Sequence, residues 1–504
     1  MAVTGHSLAS LAAADTFKRG GNIVDAAVAA SAVTSIILGH AAGIGGDCFL
    51  LYRDGRSGRT TGLNASGTAP AFATPEKFAN GMKSHGPLAP VVPGLVRAWE
   101  AMHTRHGSLP WPSLFDAAID LAESHPVSSV LASRLASQAE DLKTDPGCAR
   151  VFFPEGRPIE ACETLRQPAL ARSLRLIAAD GADAFYRGEI ARDIDAAMER
   201  NGGMLRASDL SAYEPVWVEP VSTLYRGHTV HAMPPNSCGA LLLMQLNGLS
   251  AIEPRTLREN PTLRIGYQMS AMKAAFATGA PLIADPGAVP DAMHILLSEE
   301  MAHVMSDAVL SFTNRPKVPE SGGTSCLVFA DSDGNAISLV QSIFNVFGSM
   351  FLDEKTGILF NNRMQGFTHK PAKANTVAPG KRPSHTLCPV LVTREGKFRY
   401  ALATPGGLSQ TLTNAQVLMQ LLDCGMDVQA AVEHPRWCNT KTGDFLMEYE
   451  FPESLAQELT ALGHKVERKD DGYFYGSAKA VELMPSGNLA GGADFRREAF
   501  ALGV

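Results

Sequence analysis

Residues 324–342 read TSCLVFADSDGNAISLVQS, and this stretch decides the fold. Two apolar runs, TSCLVFA and AISLVQS, flank the turn-forming residues DSDGN at 331–335, and that pattern predicts a β-hairpin. The preceding residues 312–323, FTNRPKVPESGG, are polar, rich in Pro and Gly and without apolar periodicity, which indicates an exposed loop. A loop is therefore expected to give way to a strand at Thr324.

The residues at this boundary suit autoproteolysis. The hydroxyl of Thr324 can attack the carbonyl of Gly323 if the backbone takes an unusual geometry, which glycine tolerates best. Hydrolysis of the resulting ester would free an α-amine on Thr324. An α-amine has a pKa of about 7.7–8.0, so it can serve as the base for the threonine hydroxyl near neutrality. Taken alone, Gly-Gly-Thr-Ser is also typical of a simple turn before a strand, and that alternative stays open.

Composition sets the broad class. The chain has 504 residues, of which 45% are hydrophobic and 19% charged, as expected for a globular protein of about two to four domains. A net charge of −7 without a basic stripe argues against a nucleic-acid partner. The eight cysteines form no closely spaced zinc or redox pair, and they favour a reducing compartment.

The N-terminal residues do not read as a targeting segment. MAVTGHSLASLAAADTFKRGG lacks a basic region followed by an apolar core, so no signal peptide is expected. The most apolar stretch, 26–39, is too short to span a bilayer and reads as a buried helix. A cytoplasmic protein without a membrane partner is the resulting expectation.

Apolar periodicity predicts a helix-rich first three-fifths of the chain and a later part that opens with strands. The predicted helices are 8–17, 23–38, 111–123, 165–179, 190–200, 239–249, 262–277 and 409–423. The predicted strands outside the hairpin are 48–52, 222–233, 389–392 and 399–404.

Several motifs resemble those of the γ-glutamyltranspeptidase family, in the family's own order. The segment 324–367, which contains DSDGN and GILFNN, resembles the start of that family's small subunit. The other matching motifs are GGNIVDAAVAA (20–30), GIGGDCFLLY (43–52), MPPNSCG (233–239), KRPSHTLCP (381–389), TPGG (404–407) and GADFRR (492–497).

The resemblance implies an α+β fold, namely the four-layer αββα sandwich of N-terminal-nucleophile hydrolases. It also implies self-cleavage between Gly323 and Thr324 into a large subunit, 1–323, and a small subunit, 324–504. The two chains of the one precursor should stay associated, with a homodimer of such heterodimers as a further possibility. No metal and no organic cofactor is expected for this chemistry.

The resemblance assigns roles to four residues. Thr324 corresponds to the family's catalytic threonine, and Ser342 to a hydroxyl residue that supports the nucleophile. Gly406 and Gly407 resemble the oxyanion-hole glycines, and a Gly-Gly turn before a helix does expose backbone N–H groups where the helix dipole favours negative charge. The alternatives are a polar residue at a strand end for Ser342 and a plain strand-to-helix turn for the two glycines.

The chain departs from the transpeptidases where those enzymes bind substrate. Ser66 replaces an arginine, Arg363 replaces a glutamine, Gly366 replaces an aspartate, and His385-Thr386 replaces a Ser-Ser pair. Loss of the aspartate removes the partner of a substrate ammonium group, while an arginine can bind a carboxylate. The changes favour the family's hydrolase branch, which includes oxamate amidohydrolases and cephalosporin acylases.

Arg363, His385 and Thr386 are therefore predicted to bind a small amide substrate whose acyl group is acidic. The alternative for this cluster is a structural arginine salt bridge beside a core or surface histidine. Two other functions stay open: a genuine γ-glutamyltransferase or glutathione hydrolase, and an unprocessed, non-catalytic relative.

Overall fold

The structure is a computed structural model that describes residues 1–311, 323–440, 443–469, 472–473 and 475–504. The predicted loop 312–323 lies, except for Gly323, outside the described residues. The strands in chain order are β1 (Ala2–Thr4), β2 (Asp47–Arg53), β3 (Thr60–Ala65), β4 (His125–Pro126), β5 (Thr164–Leu165), β6 (Val216–Val218), β7 (Val221–Tyr225), β8 (His228–Ala232), β9 (Gly323–Ala330), β10 (Ala336–Phe344), β11 (Leu352–Asp353), β12 (Ile358–Leu359), β13 (Val390–Arg394), β14 (Lys397–Ala403), β15 (Trp437–Asn439), β16 (Phe445–Met447), β17 (Val466–Arg468), β18 (Lys479–Leu483), β19 (Leu489–Ala493) and β20 (Phe500–Leu502).

The helices surround these strands and dominate the first three-fifths of the chain. They are α1 (Ser7–Lys18), α2 (Ile23–Ile37), α3 (Gly39–Ala42), α4 (Leu95–His106), α5 (Asp116–Glu123), α6 (Ser129–Ser137), α7 (Ala139–Leu142), α8 (Pro146–Phe152), α9 (Pro168–Asp180), α10 (Asp183–Tyr186), α11 (Glu189–Arg200), α12 (Ala207–Ser211), α13 (Gly239–Leu249), α14 (Pro254–Glu259), α15 (Pro261–Gly279), α16 (Ala292–Leu296), α17 (Glu299–Leu310), α18 (Ser409–Leu422), α19 (Val428–Glu433) and α20 (Glu453–Ala461). Short 3₁₀ turns cover Pro75–Phe78, Trp111–Leu114, Ala280–Leu282 and Arg363–Gly366. Within the residues described, no helix combines the length and apolarity needed to cross a membrane.

Two antiparallel sheets form the centre of the fold. The first has the strand order β20-β1-β9-β10-β2-β3-β6, and the second has the order β19-β18-β14-β13-β8-β7. The predicted hairpin of 324–342 forms the middle of the first sheet as β9 and β10. Its turn is closed by Asp331, whose carboxylate oxygen Oδ1 accepts hydrogen bonds of 3.0 Å from the backbone N–H groups of Asp333 and Asn335.

Strand alternation explains why the sheets stack. Val328 and Leu391 point into an apolar cluster shared by the two sheets, whereas their neighbours Leu327 and Val390 belong to different clusters. The Leu327 cluster includes residues of α1, α2 and α4, and the Val390 cluster includes residues of α13, α15 and α18. Because successive side chains of a strand face opposite sides, each sheet is covered by helices on its outer face. The predicted four-layer αββα sandwich is confirmed.

The helix α2 shows how local sequence fixes the packing around the first sheet. Asn22 caps it by accepting hydrogen bonds of 2.8 Å and 3.1 Å from the N–H groups of Val24 and Asp25, and the Asp25 carboxylate accepts one of 2.9 Å in return from the N–H of Asn22. Every residue from Ile23 to Ile37 is buried, which explains the high content of Ala, Val and Ile. The predicted helix 23–38 is thus confirmed to within one residue.

Three sequence predictions need correction. The segment 222–233 is a hairpin, β7 and β8, rather than one strand, because Arg226 and Gly227 take left-handed φ values of 51° and 73° and reverse the chain. The segment 111–123 is a 3₁₀ turn followed by α5. The helix predicted at 165–179 begins only at Pro168, because Leu165 belongs to β5.

Both sides of the proposed cleavage point contribute strands to both sheets. In the first sheet, β1 from the N-terminal part lies between β20 and β9 from the C-terminal part. In the second, β8 pairs with β13 over four residue pairs from Val390↔Ala232 to Thr393↔Thr229. Two chains divided at residue 323 would therefore share one continuous hydrogen-bonded framework.

Candidate active site

Thr324 lies one residue inside β9 and is 3% exposed. The register between β9 and β10 pairs Gln341 with Ser325 and then jumps to Phe344 opposite Gly323, so Ser342 lies in a bulge. Phe344 takes a left-handed φ of 80° at the end of this irregularity. Bulges redirect side chains, and this one brings the hydroxyl of Ser342 to the start of β9.

Ser342 links the hydroxyl of Thr324 to the peptide bond before it. The Thr324 hydroxyl donates to Ser342 Oγ over 3.3 Å, and Ser342 donates to the carbonyl oxygen of Gly323 over 2.7 Å. The backbone N–H of Phe344 donates to Ser342 Oγ over 2.8 Å and orients it. A hydroxyl that donates to the carbonyl of Gly323 draws electron density from that carbonyl and so favours attack on its carbon.

Gly406 and Gly407 lie between the end of β14 and the start of α18. Their φ values are 132° and 57°, a region of backbone conformation that L-residues with side chains avoid. Within the described part of the chain, neither N–H group donates to an acceptor, and both precede the positive end of α18. Pro405, the residue before them, lines one cavity with Thr324. These N–H groups lie near Thr324 and could hold a developing negative charge, as an oxyanion hole does.

The carbonyl side of Thr324 is held by Arg497, a residue to which the sequence analysis gave no role. Its guanidinium donates to the Thr324 carbonyl over 3.4 Å and to the Tyr473 carbonyl over 2.7 Å, and it stacks 3.8 Å from the centre of the Tyr473 ring. The motif GADFRR at 492–497 was the available signal, because it put an arginine in a segment that matches the family. Arg497 thereby holds the backbone of β9 at Thr324.

His40 and Ser325 line the same cavity as Thr324. His40 Nδ1 and Ser325 Oγ are buried, and neither has a hydrogen-bond partner among the described residues. Burial lowers the pKa of His40 to about 3, and the nearby charges of Arg497 and Arg134 add to the effect. His40 is therefore neutral at physiological pH.

Arg363 forms a buried ion pair with Asp47. The guanidinium is 1% exposed; its Nε lies 3.0 Å from Asp47 Oδ2, and its Nη2 donates to Asp47 Oδ1 over 3.1 Å. Nη1 donates to Thr386 Oγ1 over 3.3 Å. The ring of Phe344 lies 4.7 Å from the guanidinium carbon and covers one face of it.

His385 completes this cluster on the other side of Asp47. Its Nε2 lies 2.7 Å from Asp47 Oδ2, while the backbone N–H of Leu387 donates to Nδ1 over 3.3 Å. Since Nδ1 accepts, the proton of the neutral ring is on Nε2 and is donated to Asp47. Burial, aided by the charge of Arg363, lowers the pKa of His385 to about 4. Burial alone would raise the pKa of Asp47, but Arg363 and His385 outweigh it and the pKa is lowered.

The three predicted substrate-binding residues are thus brought together, but around a carboxylate that the sequence analysis did not single out. The Asp47 charge cancels that of Arg363, as expected for a structural salt bridge. Contact of Arg363, His385 and Thr386 with substrate remains a prediction. The sequence signal for this carboxylate was the aspartate at position 47 in the motif GIGGDCF.

This salt-bridge cluster adjoins the candidate nucleophile, Thr324. Asp47 is paired with Ser342 across β2 and β10, and Phe344, which covers Arg363, is paired with Gly323. A side chain at Gly46 would place its Cβ 2.3 Å from the Ser342 carbonyl oxygen, so the strands approach closely here only because that residue is glycine.

Two substituted positions take structural contacts. Ser66 is buried, and its Oγ accepts a 2.9 Å hydrogen bond from the side-chain amide of Asn236. The carbonyl of Gly366 accepts a hydrogen bond from the side-chain amide of Asn375. Neither position carries a charge that would hold an amino acid's ammonium or carboxylate group.

Comparison with known proteins identifies the family. The family model described as gamma-glutamyltranspeptidase matches residues 9–504. The chain belongs to the gamma-glutamyltranspeptidase family. It is therefore a hydrolase of this family, as predicted.

Similar proteins within the family are named as acylases, amidohydrolases and glutathione hydrolases. The chain is 33% identical to the acylase ACY 1 proenzyme of Pseudomonas sp. (strain SE83), over 100% of this chain and 93% of that protein. It is 31% identical to the oxamate amidohydrolase proenzyme of Klebsiella pneumoniae subsp. pneumoniae, over 100% of this chain and 98% of that protein. Among solved structures, cephalosporin acylase from Bacillus halodurans matches with a TM-score of 0.92 and 32% identity, covering 99% of this chain and 94% of that one.

Proposed function

We propose that this protein is a self-processing amidohydrolase that cleaves the amide of a small, polar acyl group through an acyl-enzyme on Thr324. The observation that carries the proposal is the link from the Thr324 hydroxyl through Ser342 Oγ to the Gly323 carbonyl, with distances of 3.3 Å and 2.7 Å. The relatives named as proenzymes support a processed protein.

Processing would begin with attack of the Thr324 hydroxyl oxygen on the carbonyl carbon of Gly323. The carbonyl oxygen gains negative charge, and the hydroxyl of Ser342 stabilises it through the hydrogen bond already present. The C–N bond then breaks, the Thr324 nitrogen takes up the proton that the Thr324 hydroxyl has lost, and an ester joins the two parts. Water hydrolyses that ester and leaves Thr324 as the first residue of the small subunit, 324–504.

Catalysis would use the new α-amine as the base. It takes the proton of the Thr324 hydroxyl while the oxygen attacks the substrate amide. The N–H groups of Gly406 and Gly407 hold the oxyanion, the leaving amine receives the proton, and water resolves the acyl-enzyme. No side-chain base is required, which agrees with the pKa of about 3 for buried His40, because a group with so low a pKa is a weak base.

The salt-bridge cluster would recognise the acyl group. The guanidinium of Arg363 uses Nε and one proton of Nη2 on Asp47, and one proton of Nη1 on Thr386, so one N–H on each Nη nitrogen has no acceptor among the described residues. Those two N–H groups form a fork that can bind both oxygens of a carboxylate or the single carbonyl oxygen of a carboxamide. The absence of a carboxylate at Gly366 disfavours an α-ammonium group, and therefore a γ-glutamyl substrate.

Intact mass spectrometry and N-terminal sequencing test the proposal. We expect fragments of 323 and 181 residues, the second beginning Thr-Ser-Cys. Thr324→Ala should give one inactive 504-residue chain, whereas the matched control Ser325→Ala, which removes a neighbouring buried hydroxyl, should still be cut. Hydrolysis of amides by an uncut wild-type chain would refute the proposal. Faster turnover of a γ-glutamyl anilide than of oxamate and glutaryl anilide would favour glutathione hydrolysis instead.

A further inference from the structure

Asp47 has two features that a purely structural partner of Arg363 does not need. It bonds Arg363 and His385 with both of its carboxylate oxygens, and it lies directly opposite Ser342, the residue that contacts the nucleophile. Arg363, Asp47 and His385 are each at most 1% exposed. Charges buried this completely interact strongly with any further charge brought beside them, because little water screens them.

The charge balance of the cluster follows from these contacts. Arg363 carries one positive charge and Asp47 one negative charge, and His385 is neutral, since its single Nε2 proton is donated to Asp47. The fork that Arg363 offers to an acyl group is therefore part of a neutral pair. A neutral pair has little net charge with which to prefer a carboxylate over a carboxamide, so hydrogen bonds to the ligand's oxygen, rather than charge, decide binding.

We propose that Asp47 is a specificity-determining residue, which neutralises Arg363 so that the acyl pocket accepts a terminal carboxamide nearly as well as a terminal carboxylate. The inference rests on the proposed function, because it concerns the acyl group of the same amide substrate. It narrows that function to acyl groups that end in a carboxylate or a carboxamide, each of which offers the fork at least one carbonyl-type oxygen.

A double-mutant cycle, measured with two substrates of the same shape but different charge, tests this role. The substrates are the anilides of glutaric acid and of glutaramic acid, which differ only in a terminal carboxylate or carboxamide. The measured quantity is the ratio of their kcat/KM values. In the wild type we expect the two values to lie within about tenfold of each other, since the pair is neutral.

The variants change the charge of the pair while preserving its shape. Asp47→Asn leaves a net positive charge and should raise the ratio in favour of the carboxylate by about tenfold or more. Arg363→Gln leaves a net negative charge and should lower it by a similar factor. The double variant is neutral again and should return the ratio to about the wild-type value. A structural role would lower both activities together and leave the ratio unchanged in all three variants, which would overturn the inference.

Two measurements cover the remaining outcomes. If a variant does not fold, the ratio of the two kcat/KM values in the wild type tests the inference by itself. A preference for the carboxylate above about a hundredfold would contradict a neutral pocket. If the wild type hydrolyses neither anilide nor oxamate, the proposed function fails, and calorimetric binding of glutarate and glutaramate to the processed wild type tests Asp47 separately. Similar affinities for the two ligands support the inference, while strong selection for glutarate or binding of neither refutes it.

Discussion

Two neighbouring polar clusters differ in how fully their hydrogen-bonding groups are satisfied. At the candidate nucleophile, the Thr324 hydroxyl makes a single 3.3 Å hydrogen bond to Ser342 among the described residues, and Ser325 Oγ has no partner among them. In the salt-bridge cluster, Asp47 is bonded by both Arg363 and His385 at 2.7 Å to 3.3 Å. Both clusters are buried and share the pairing of β2 with β10.

The difference shows how one sheet can hold a reactive group beside a rigid one. A hydroxyl with few competing hydrogen bonds keeps its lone pairs for a carbonyl carbon, whereas a saturated ion pair fixes the geometry around it. Changes at the candidate nucleophile should therefore alter rates more than stability. Changes in the salt-bridge cluster should alter stability more than rates.

The largest effect on stability is expected for Arg363→Met. Removing the guanidinium leaves the Asp47 charge buried and unpaired, at a cost of about 3–5 kcal/mol in the free energy of unfolding. Urea unfolding in the Thr324→Ala background compares all variants as single chains. Arg255→Met is the matched control: its ion pair with Glu259 is exposed, so it should change stability by under about 0.5 kcal/mol. Equal losses of stability in the two variants would show that the buried Arg363–Asp47 pair contributes no more than an exposed ion pair.

Gly406→Ala should have the largest effect on rate. An L-residue avoids a φ of 132°, so the backbone would rotate and turn the N–H groups away from the oxyanion. We expect kcat to fall about 10²- to 10³-fold, with KM nearly unchanged. Gly425→Ala is the control for backbone strain. Gly425 has a φ of 67°, and no neighbouring atom lies within 4 Å of an added Cβ. Comparable kcat values for the two variants would remove the oxyanion role.

A smaller effect is expected for Ser342→Ala, which should slow self-cleavage by about a hundredfold. The methyl group cannot donate to the Gly323 carbonyl, and the N–H of Phe344 loses its acceptor. Intact mass measured over time after synthesis gives the rate. The control is Ser338→Ala, on the same strand, because that hydroxyl is also buried but donates to the Leu402 carbonyl instead. Unchanged cleavage in Ser342→Ala would assign this serine a packing role.

The smallest effect is a dependence of stability on pH through His385. Its pKa is about 4 in the folded protein and about 6.5 when unfolded, so between these values the unfolded chain binds one more proton. The free energy of unfolding should fall by about 1.4 kcal/mol per pH unit from this group as the pH drops from 6.5 to 4. His385→Gln should flatten that slope, and the exposed His303→Gln should not. Equal slopes in both variants would show that His385 titrates normally.

Much of the fold could be predicted because its signals are local. The hairpin at 324–342 and the helix 239–249 appear as predicted, since strand alternation, turn residues and apolar periodicity each act over a few residues. The division of 222–233 was missed because a left-handed arginine, Arg226, begins the turn. The short strands β1 and β20 gave no pattern of their own, because three residues are too few to show alternation.

Part of the candidate site could be predicted in the same way. Thr324 follows from a change of local pattern, and Ser342, Gly406 and Gly407 follow from motifs that resemble one family. The role of Arg497 was missed, because its contact with the Thr324 carbonyl spans 173 residues of sequence. The pairing of Arg363 with Asp47 spans 316 residues, and no local pattern indicates it.

The sequence by itself determined the family, the strand that begins at the candidate nucleophile and the residue types available for binding. Only the tertiary structure decided the charge of the binding cluster, because a net charge depends on which side chains are buried together. Arg363 read alone predicts a cationic pocket. Once Asp47 lies within 3.0 Å of it and water is excluded, the same arginine belongs to a neutral pair.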